Sequence, residues 1–214
     1  MSLIKKLRSK SHFFRVITDL IGVHTMDGKY RGPLEVIHAR YAQKDTEENT
    51  LAVDLGSGPR PRNMFGATKL IGLDNSADAG SDILKCNLGF ENLPFEPGSV
   101  DYVTAYDLLE HIPRHSTQDL TSPFIHLMNE VYRILKPGGY FASLTPIYPF
   151  VGAFQDPTHV NIMTSNTIRD YFSEHQHEIA RFYGIKTNFL IKFEAIRGQK
   201  LFIVLQKPDA SIDQ

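Results

Sequence analysis

Two acidic residues and two glycines in the first half of the chain have the types and the spacing of a nucleotide-binding site. The stretch LAVDLGSGP is a short apolar run that carries Asp54 and then turns through Gly56 and Gly58. A glycine turn at the carboxyl end of a parallel strand lets the main chain come close to a bound molecule. Asp74 ends the next apolar run, 20 residues after Asp54, where a carboxylate can accept hydrogen bonds from both ribose hydroxyls. Together these residues favour an adenosine-containing ligand over a tight turn with a capping acid.

The residues after the turn argue against a nicotinamide or flavin dinucleotide. The dinucleotide fingerprint G-x-G-x-x-G requires a third glycine for close packing between helix and strand. Here Gly58 is followed by Pro59, Arg60 and Pro61. A nucleotide-dependent oxidoreductase is therefore the weaker alternative among the enzymes that such a turn allows.

Composition places the chain among ordinary globular proteins. It has 214 residues, of which 42% are hydrophobic, and a formal net charge of −1; this favours one domain and gives no electrostatic footprint for nucleic acid. The single cysteine, Cys86, excludes an internal disulfide and fits a reducing compartment. No apolar run approaches the roughly 18 residues of a membrane span. We expect a cytoplasmic protein.

Short apolar runs separated by turn residues predict the strands of a mostly parallel sheet. They read LAVDL, KLIGLD, DILKCNL, VDYVTAY and GGYFASLT, and continuous apolar strands are expected where helices cover both faces of a sheet. A helix is predicted over 120–135, closed by Lys136-Pro137-Gly138. Near the end of the chain, KFEAIRGQKLFIVLQK predicts a hairpin around Arg197-Gly198-Gln199, and so an antiparallel pair at the end of the sheet.

The first 48 residues have a different pattern of apolar and charged residues from the rest of the chain. Phe13, Ile17 and Leu20 fall on one helical face among basic residues, which predicts an amphipathic helix. Such a helix either packs on the body of the domain or lies on a membrane surface, and the short apolar stripe favours packing. We assign 1–48 to an N-terminal helical cap of the same domain and 49–209 to the ligand-binding domain.

Four motifs occur in a characteristic order. VDLGSGP is followed by GLD, then by ENLPFEPGSVDYVTAYDLLEHIP, then by LMNEVYRILKPGGYFASLTP. Over 51–146 this series resembles the class I S-adenosylmethionine-dependent methyltransferases, in the type 11-like branch with L-P-F and L-E-H-I elements. The resemblance implies an α/β, Rossmann-like, doubly wound fold whose seven-stranded sheet is mostly parallel with an antiparallel last strand. It also implies S-adenosylmethionine as cofactor and S-adenosylhomocysteine as product.

The resemblance further implies which residues hold the cofactor. Asp54, Gly56 and Gly58 would line its methionine end, with main-chain N–H groups meeting the carboxylate. Asp74 would hold the ribose. The remaining cofactor residues implied in this way are Asn87 and Leu88 beside the adenine and Tyr106 facing the sulfonium.

The chain departs from the family pattern in its first two crossovers. Only ten residues lie between Gly58 and Lys69, and two of them are prolines, so a full helix is hard to fit. The stretch NSADAGSD before Ile83 is equally short. We predict that both crossovers are reduced to a loop or a single helical turn and that this edge of the sheet is thinly covered.

The acceptor of the methyl group is a small molecule or a sugar-like compound in our interpretation. Substrate contacts usually come from long ordered loops at the ligand end of such a sheet, and the segment PIYPFVGAFQDPTHVNIMT has that place. Its candidate substrate-binding residues are Tyr148, Phe154 and Asp156. His159 is the leading candidate for a general base or a substrate hydrogen bond, with pinning of the loop as the alternative.

Asp107 is the second candidate catalytic residue, because the resemblance places it beside the incoming substrate. For Glu110 and His111 a role in shaping the loop is favoured over catalysis. Methyl transfer needs no metal ion, and the sequence shows no ligand cluster; His175 and His177 lie two apart, on different sides of a helix. A protein that binds the cofactor without turnover remains the alternative outside enzymology.

Overall fold

The computed structural model describes residues 49–76, 82–116 and 122–209. The predicted N-terminal cap over 1–48, including its amphipathic helix, lies outside the described residues. No helix in the described ranges is both long enough and apolar enough to cross a bilayer.

A seven-stranded sheet forms the centre of the domain. In the sheet the strands follow the order β3-β2-β1-β4-β5-β7-β6, and β7 runs antiparallel to both of its neighbours while β1 to β5 pair in parallel. The predicted doubly wound sheet with an antiparallel last strand is confirmed. The strands are β1 (Leu51–Leu55), β2 (Lys69–Asp74), β3 (Ile83–Lys85), β4 (Val100–Tyr106), β5 (Leu135–Pro146), β6 (Leu190–Arg197) and β7 (Lys200–Gln206).

Successive side chains of β1 point to opposite faces of the sheet and belong to two different parts of the core. Val53 and Leu55 point to the face covered by α1 (Pro123–Ile134) and α2 (Ser165–Phe172). Asp54 points to the opposite face, where Thr104 donates a hydrogen bond to it. Because successive side chains of a strand lie on opposite faces, the apolar residues of β1 anchor the sheet to the helices while its acid stays beside the following loop.

Helix α1 begins where proline is best tolerated and buries one face. Pro123 occupies its first turn, where the missing N–H has no partner to lose. Its buried side chains recur at helical spacing, namely Phe124, Leu127, Met128, Val131 and Ile134. The helix was predicted to begin at residue 120 but begins at Pro123.

The KPGG stretch after α1 is an irregularity inside β5. Val100 pairs with Leu135 but Tyr102 pairs with Tyr140, so β5 contains extra residues relative to β4. Gly138 takes φ +78° in this bulge, a conformation that glycine adopts without a Cβ clash. The sequence predicted a turn between helix and strand here; instead the strand follows the helix directly.

The first crossover contains no helix. Residues 56–68 are turn and coil, as the prolines predicted. Asn63 closes part of this loop, because its side chain donates to the Ala67 carbonyl and accepts from the Ala67 N–H. Phe65 is fully buried, and its ring stacks on Tyr102 at 4.5 Å between centroids. The loop thus covers the sheet face that a crossover helix would otherwise cover.

The last two strands form the predicted hairpin. Arg197 pairs with Lys200, so the turn consists of Gly198 and Gln199, with φ of +53° and +73°. Positive φ at both central residues defines a type I′ turn, whose twist matches the strands it joins. The hairpin carries Lys200 to the carboxyl end of β5, where it pairs with Pro146.

Candidate functional site

The glycine turn after β1 folds back over β2. The N–H groups of Gly56 and Ser57 both donate to the Leu73 carbonyl, at 2.8 and 3.2 Å. Gly56 and Gly58 have φ of +64° and +54°, which disfavours any other residue type. A Cβ on Gly56 would come within 2.9 Å of Leu108, whereas one on Gly58 would meet no protein atom. Gly58 therefore borders open space, as a residue that meets a ligand with its main chain must.

Asp74 stands at the end of β2 directly beside this turn. Its carboxylate accepts hydrogen bonds from the N–H groups of Gly58 and Ser76, each at 2.9 Å, and from the Ser76 hydroxyl. Burial alone would raise the pKa of the Asp74 carboxyl, but the hydrogen bonds from Ser76 and Gly58 outweigh it and lower the pKa. The carboxylate is therefore charged at neutral pH, and its oxygens retain lone pairs for further donors.

Both carboxylate oxygens of Asp54 accept hydrogen bonds from within the protein. Asp54 is almost fully buried, and its two oxygens accept from the Thr104 hydroxyl at 2.6 Å and from the Arg62 N–H at 2.8 Å. Burial raises the pKa of this carboxyl in spite of both bonds. Asp54 thus fixes the loop that leaves the glycine turn, and its predicted contact with the methionine end of the cofactor stays a prediction.

A polar cleft lies beyond the ends of β2 and β3, on the side predicted for adenine. It is lined by Asn75, Lys85, Asn87 and Glu91. The Asn87 N–H donates to the Glu91 carboxylate at 2.9 Å, so an acid that the sequence analysis missed lies beside Asn87. Leu88 is buried beneath the cleft.

Cys86 faces the core rather than this cleft. The side chain is 2% exposed, and burial, reinforced by the charges of Glu91 and Glu130, raises the pKa of its thiol to about 11. We expect the native protein to react with a thiol reagent at pH 7.5 about 100-fold more slowly than the unfolded chain, since only the thiolate is nucleophilic. Equal rates with and without denaturant, followed by absorbance of the released reagent anion, would contradict this placement.

A second cleft, which we call the acceptor cleft, opens at the carboxyl ends of β4 and β5. Its volume is about 460 Å³. Three predicted residues, Asp107, Asp156 and His159, line it together. Its other lining residues are Glu110, His111, Pro146, Gly152, Gln155, Gly198, Gln199 and Lys200.

Asp107 reaches this cleft from an unusual backbone position. It follows β4 directly with φ +50°, a left-handed conformation that aspartate tolerates better than most residues. Its carboxylate forms an ion pair with Lys200 of the hairpin. Lys200 and Gln199, whose side-chain oxygen accepts from the Gly152 N–H, are cleft residues that the sequence analysis did not identify.

The predicted aromatic residues lie outside this cleft's lining. Tyr148 and Phe154 are 57% and 55% exposed, and their rings meet edge to face at 6.4 Å. They form an exposed apolar pair on the same loop as Asp156. Their role in substrate binding stays a prediction.

His159 presents one ring nitrogen to the cleft. Its Nδ1 lies 3.2 Å from the Ala153 carbonyl, an acceptor only, so Nδ1 carries the proton and Nε2 carries the lone pair. The Nε2 atom is 3.9 Å from the Asp156 carboxylate. The hydrogen bonds from the Thr158 hydroxyl and N–H lower the pKa of Asp156. An acid and an imidazole lone pair therefore border the same space.

The loop that carries His159 is fixed to the residues after β4. The Glu110 carbonyl accepts from the N–H groups of Val160 and Asn161, at 2.9 and 3.0 Å. Asn161 is itself held by Arg114, whose Nε donates to its side-chain oxygen at 2.6 Å. These bonds set the position of His159 relative to Asp107 without any ligand.

Residues 53–143 match the family model described as a methyltransferase domain. A crystal structure of an S-adenosylmethionine-dependent methyltransferase from Aquifex aeolicus has a TM-score of 0.51 at 15% identity, over 82% of this chain and 89% of that one. The family match over residues 53–143 and this likeness in fold support the predicted resemblance to the class I S-adenosylmethionine-dependent methyltransferases.

Two further solved structures share the fold. The complex between the Haloferax volcanii Trm112 methyltransferase activator and the putative methyltransferase contains a chain with a TM-score of 0.55 and 18% identity, over 92% of this chain and 96% of that one. The [4+2]-cyclase SpnF has a TM-score of 0.53 and 15% identity, over 83% and 80%. At these identities the likeness concerns the fold, which hosts more than one reaction. No curated protein matches the sequence.

In this methyltransferase fold Tyr106 belongs to the Asp54 face. Its ring is half-buried, with the Arg62 guanidinium 4.7 Å from its centroid, and burial raises the pKa of its hydroxyl. Tyr106 does not line the acceptor cleft, whereas the next residue, Asp107, does. The predicted contact of Tyr106 with the sulfonium stays a prediction.

Proposed function

We propose that this chain transfers the methyl group of S-adenosylmethionine to a hydroxyl oxygen of a small-molecule or sugar-like acceptor in the acceptor cleft. One contact carries this proposal: Gly56 of the cofactor turn packs against Leu108, with no room for a Cβ between them. Leu108 follows Asp107 and precedes Glu110, which both line the acceptor cleft. The proposed cofactor site and the cleft therefore share a wall, as methyl transfer between them requires.

The cofactor is proposed to lie across the ends of β1 and β2. The main chain of the turn at Gly56 and Gly58 would pack against its methionine end, while the N–H groups of these glycines keep their bonds to Leu73 and Asp74. Asp74 would accept from the ribose hydroxyls. The adenine would enter the cleft beside Asn87. Leu108 and Asp107, at the start of the acceptor cleft, would then border the methyl group to be transferred.

The lining of the acceptor cleft supports a hydroxylated acceptor. Carboxylates, a lysine, glutamines and imidazoles dominate it, and such groups discriminate strongly between a hydroxyl and its absence. In the transfer, the hydroxyl oxygen forms a bond to the methyl carbon as the S–C bond breaks, and the bonding pair stays on sulfur. His159 Nε2 accepts the hydroxyl's hydrogen bond and then its proton, which passes to water in the open cleft.

A matched pair of histidine variants tests this role. We expect His159→Asn to lower turnover about 100-fold or more, the usual contribution of acid–base catalysis, with unchanged affinity for S-adenosylmethionine. His177→Asn is the control, because its side chain is 61% exposed and lies outside the cleft. The readout is release of S-adenosylhomocysteine with a panel of hydroxylated acceptors.

The same experiment distinguishes a methyltransferase from a protein that binds S-adenosylmethionine without turnover. If the chain binds S-adenosylmethionine but releases no S-adenosylhomocysteine with any acceptor, the binding protein without turnover is favoured. Equal turnover in His159→Asn and the wild type would remove His159 from the mechanism.

A further inference from the structure

Three metal-ligand side chains meet at one wall of the acceptor cleft. Glu110, His111 and His159 each offer a ligand atom, and these three atoms lie within 4.8 Å of one another. Glu110 and His159 are 49 positions apart in sequence, so the cluster exists only because the loop after β5 returns to the end of β4. We propose that Glu110, His111 and His159 bind one divalent transition-metal ion.

Both imidazoles are oriented as metal ligands are. The Nδ1 of His111 faces two oxygens of Thr158, the carbonyl at 3.3 Å and the hydroxyl at 3.1 Å, and that hydroxyl donates its own proton to Asp156. Nδ1 of His111 must therefore be the protonated nitrogen, as Nδ1 of His159 is against the Ala153 carbonyl. Metal-binding histidines commonly donate their second N–H to such an acceptor, which fixes the ring and the tautomer.

The Glu110 carboxylate is buried beside a neutral donor. Glu110 is 2% exposed, and the side-chain donor to it is the neutral Thr145 hydroxyl, at 2.8 Å. Buried carboxylates are usually paired or coordinated to a metal, and an ion held with the two imidazoles would supply a positive charge.

The scaffold holds the three ligands before any ion arrives. Glu110 and His111 belong to the single 3₁₀ turn Leu109–His111 after β4. The main chain of that turn accepts the N–H groups of Val160 and Asn161, next to His159. Ligand bonds of about 2.1 Å require the three atoms to draw in by about an ångström, which side-chain rotation supplies.

Two imidazoles and one carboxylate suit Zn²⁺, Fe²⁺, Mn²⁺ or Co²⁺ rather than Ca²⁺ or Mg²⁺. Three protein ligands leave coordination positions open, and the open side is the cleft itself, which Asp107 and Asp156 also border. Resting on the proposed function, one consequence follows: in the metal-loaded protein an acceptor hydroxyl bound to the ion would ionise more readily and lose its proton to water, whereas in the metal-free protein His159 Nε2 would remain the base.

Metal binding is tested without any acceptor. Chelator-treated protein is titrated with Co²⁺, which has visible absorption when bound by nitrogen and oxygen, and competition with Zn²⁺ follows. We expect the wild type to bind one equivalent of Co²⁺. His111→Ala and His159→Ala should each lower the Co²⁺ affinity about 100-fold or more, since loss of even an outer-shell partner costs about 10- to 100-fold. Glu110→Gln is expected to do the same, with circular dichroism as a check because Glu110 is buried.

The controls separate this site from other histidines and from the cofactor site. His175→Ala and His177→Ala, both at exposed positions, should leave the Co²⁺ affinity unchanged. Affinity for S-adenosylmethionine should persist in His111→Ala, so loss of metal binding and loss of cofactor binding are distinguishable. If wild-type protein takes up no Co²⁺ or Zn²⁺ at 100-fold excess, or binds it equally in His111→Ala and His159→Ala, the metal site is overturned.

Discussion

Gly58→Ala is expected to lower the affinity for S-adenosylmethionine about 100-fold while the protein stays folded. The Cβ of this variant would meet no protein atom within 4 Å, so only a bound ligand would collide with it. A methyl group forced into a well-packed contact costs about 1–3 kcal/mol, and about 2.7 kcal/mol corresponds to 100-fold. Isothermal titration calorimetry gives the affinity directly.

The chain contains a matched control for backbone strain. Gly66 has φ +69° and also borders open space, but it lies at the far end of the same loop. In both variants alanine must adopt the left-handed conformation, which costs about 1–2 kcal/mol of stability. Gly66→Ala should therefore lower the melting temperature as much as Gly58→Ala and leave cofactor affinity unchanged. Equal affinities in the two variants would remove Gly58 from the cofactor site.

Asp74→Asn is expected to weaken cofactor binding about 10- to 100-fold. The carboxylate would accept from both ribose hydroxyls, and hydrogen bonds to a charged group contribute about 1.5–3 kcal/mol. An amide of the same shape has one acceptor oxygen and turns donors toward the N–H groups of Gly58 and Ser76. Calorimetry with S-adenosylhomocysteine, which lacks the sulfonium charge, isolates the ribose contribution.

The pH dependence of binding has a defined sign. The pKa of Asp74 is lowered in the folded protein, so its charge and its part in binding persist as pH falls through the usual range for aspartate. We expect this contribution to be flat above the ordinary pKa and to be lost only as the pH falls through the lowered value. Affinity that declines between pH 7 and 5 in the wild type but not in Asp74→Asn would contradict this assignment.

Asp101 is the control for Asp74. It also accepts a main-chain N–H, from Leu51 at 2.9 Å, and pairs with Lys136 at 2.7 Å, but at the opposite end of the sheet. Asp101→Asn should lower stability without changing cofactor affinity. Similar losses of affinity in both variants would show that Asp74 acts through the fold alone.

Local chemistry was sufficient to predict the strands and the hairpin. Apolar runs such as VDYVTAY leave little alternative to a buried strand, and the Gly198-Gln199 turn takes the positive φ values that close a two-residue hairpin. The bulge at Gly138 could not be predicted in this way. It depends on the register between β4 and β5, which the local sequence does not encode.

The candidate site was predictable where one segment carries it. Gly56, Gly58 and Asp74 follow from residue type, strand context and spacing. Lys200 and Glu91 did not, because Lys200 reaches Asp107 only through the antiparallel placement of β7, and Glu91 reaches Asn87 only through the bend between them. The metal-ligand group was missed for the same reason, since nearly fifty residues separate His111 from His159.

Equilibrium dialysis of the wild-type chain against labelled S-adenosylmethionine tests the central claim most directly. We predict that the wild type binds one equivalent of S-adenosylmethionine saturably, and that S-adenosylhomocysteine displaces it whereas NAD does not. Gly58→Ala should lose this binding, and Gly66→Ala should retain it. Absence of binding at millimolar S-adenosylmethionine, or displacement by NAD, would contradict the claim that the glycine turn and Asp74 form a cofactor site.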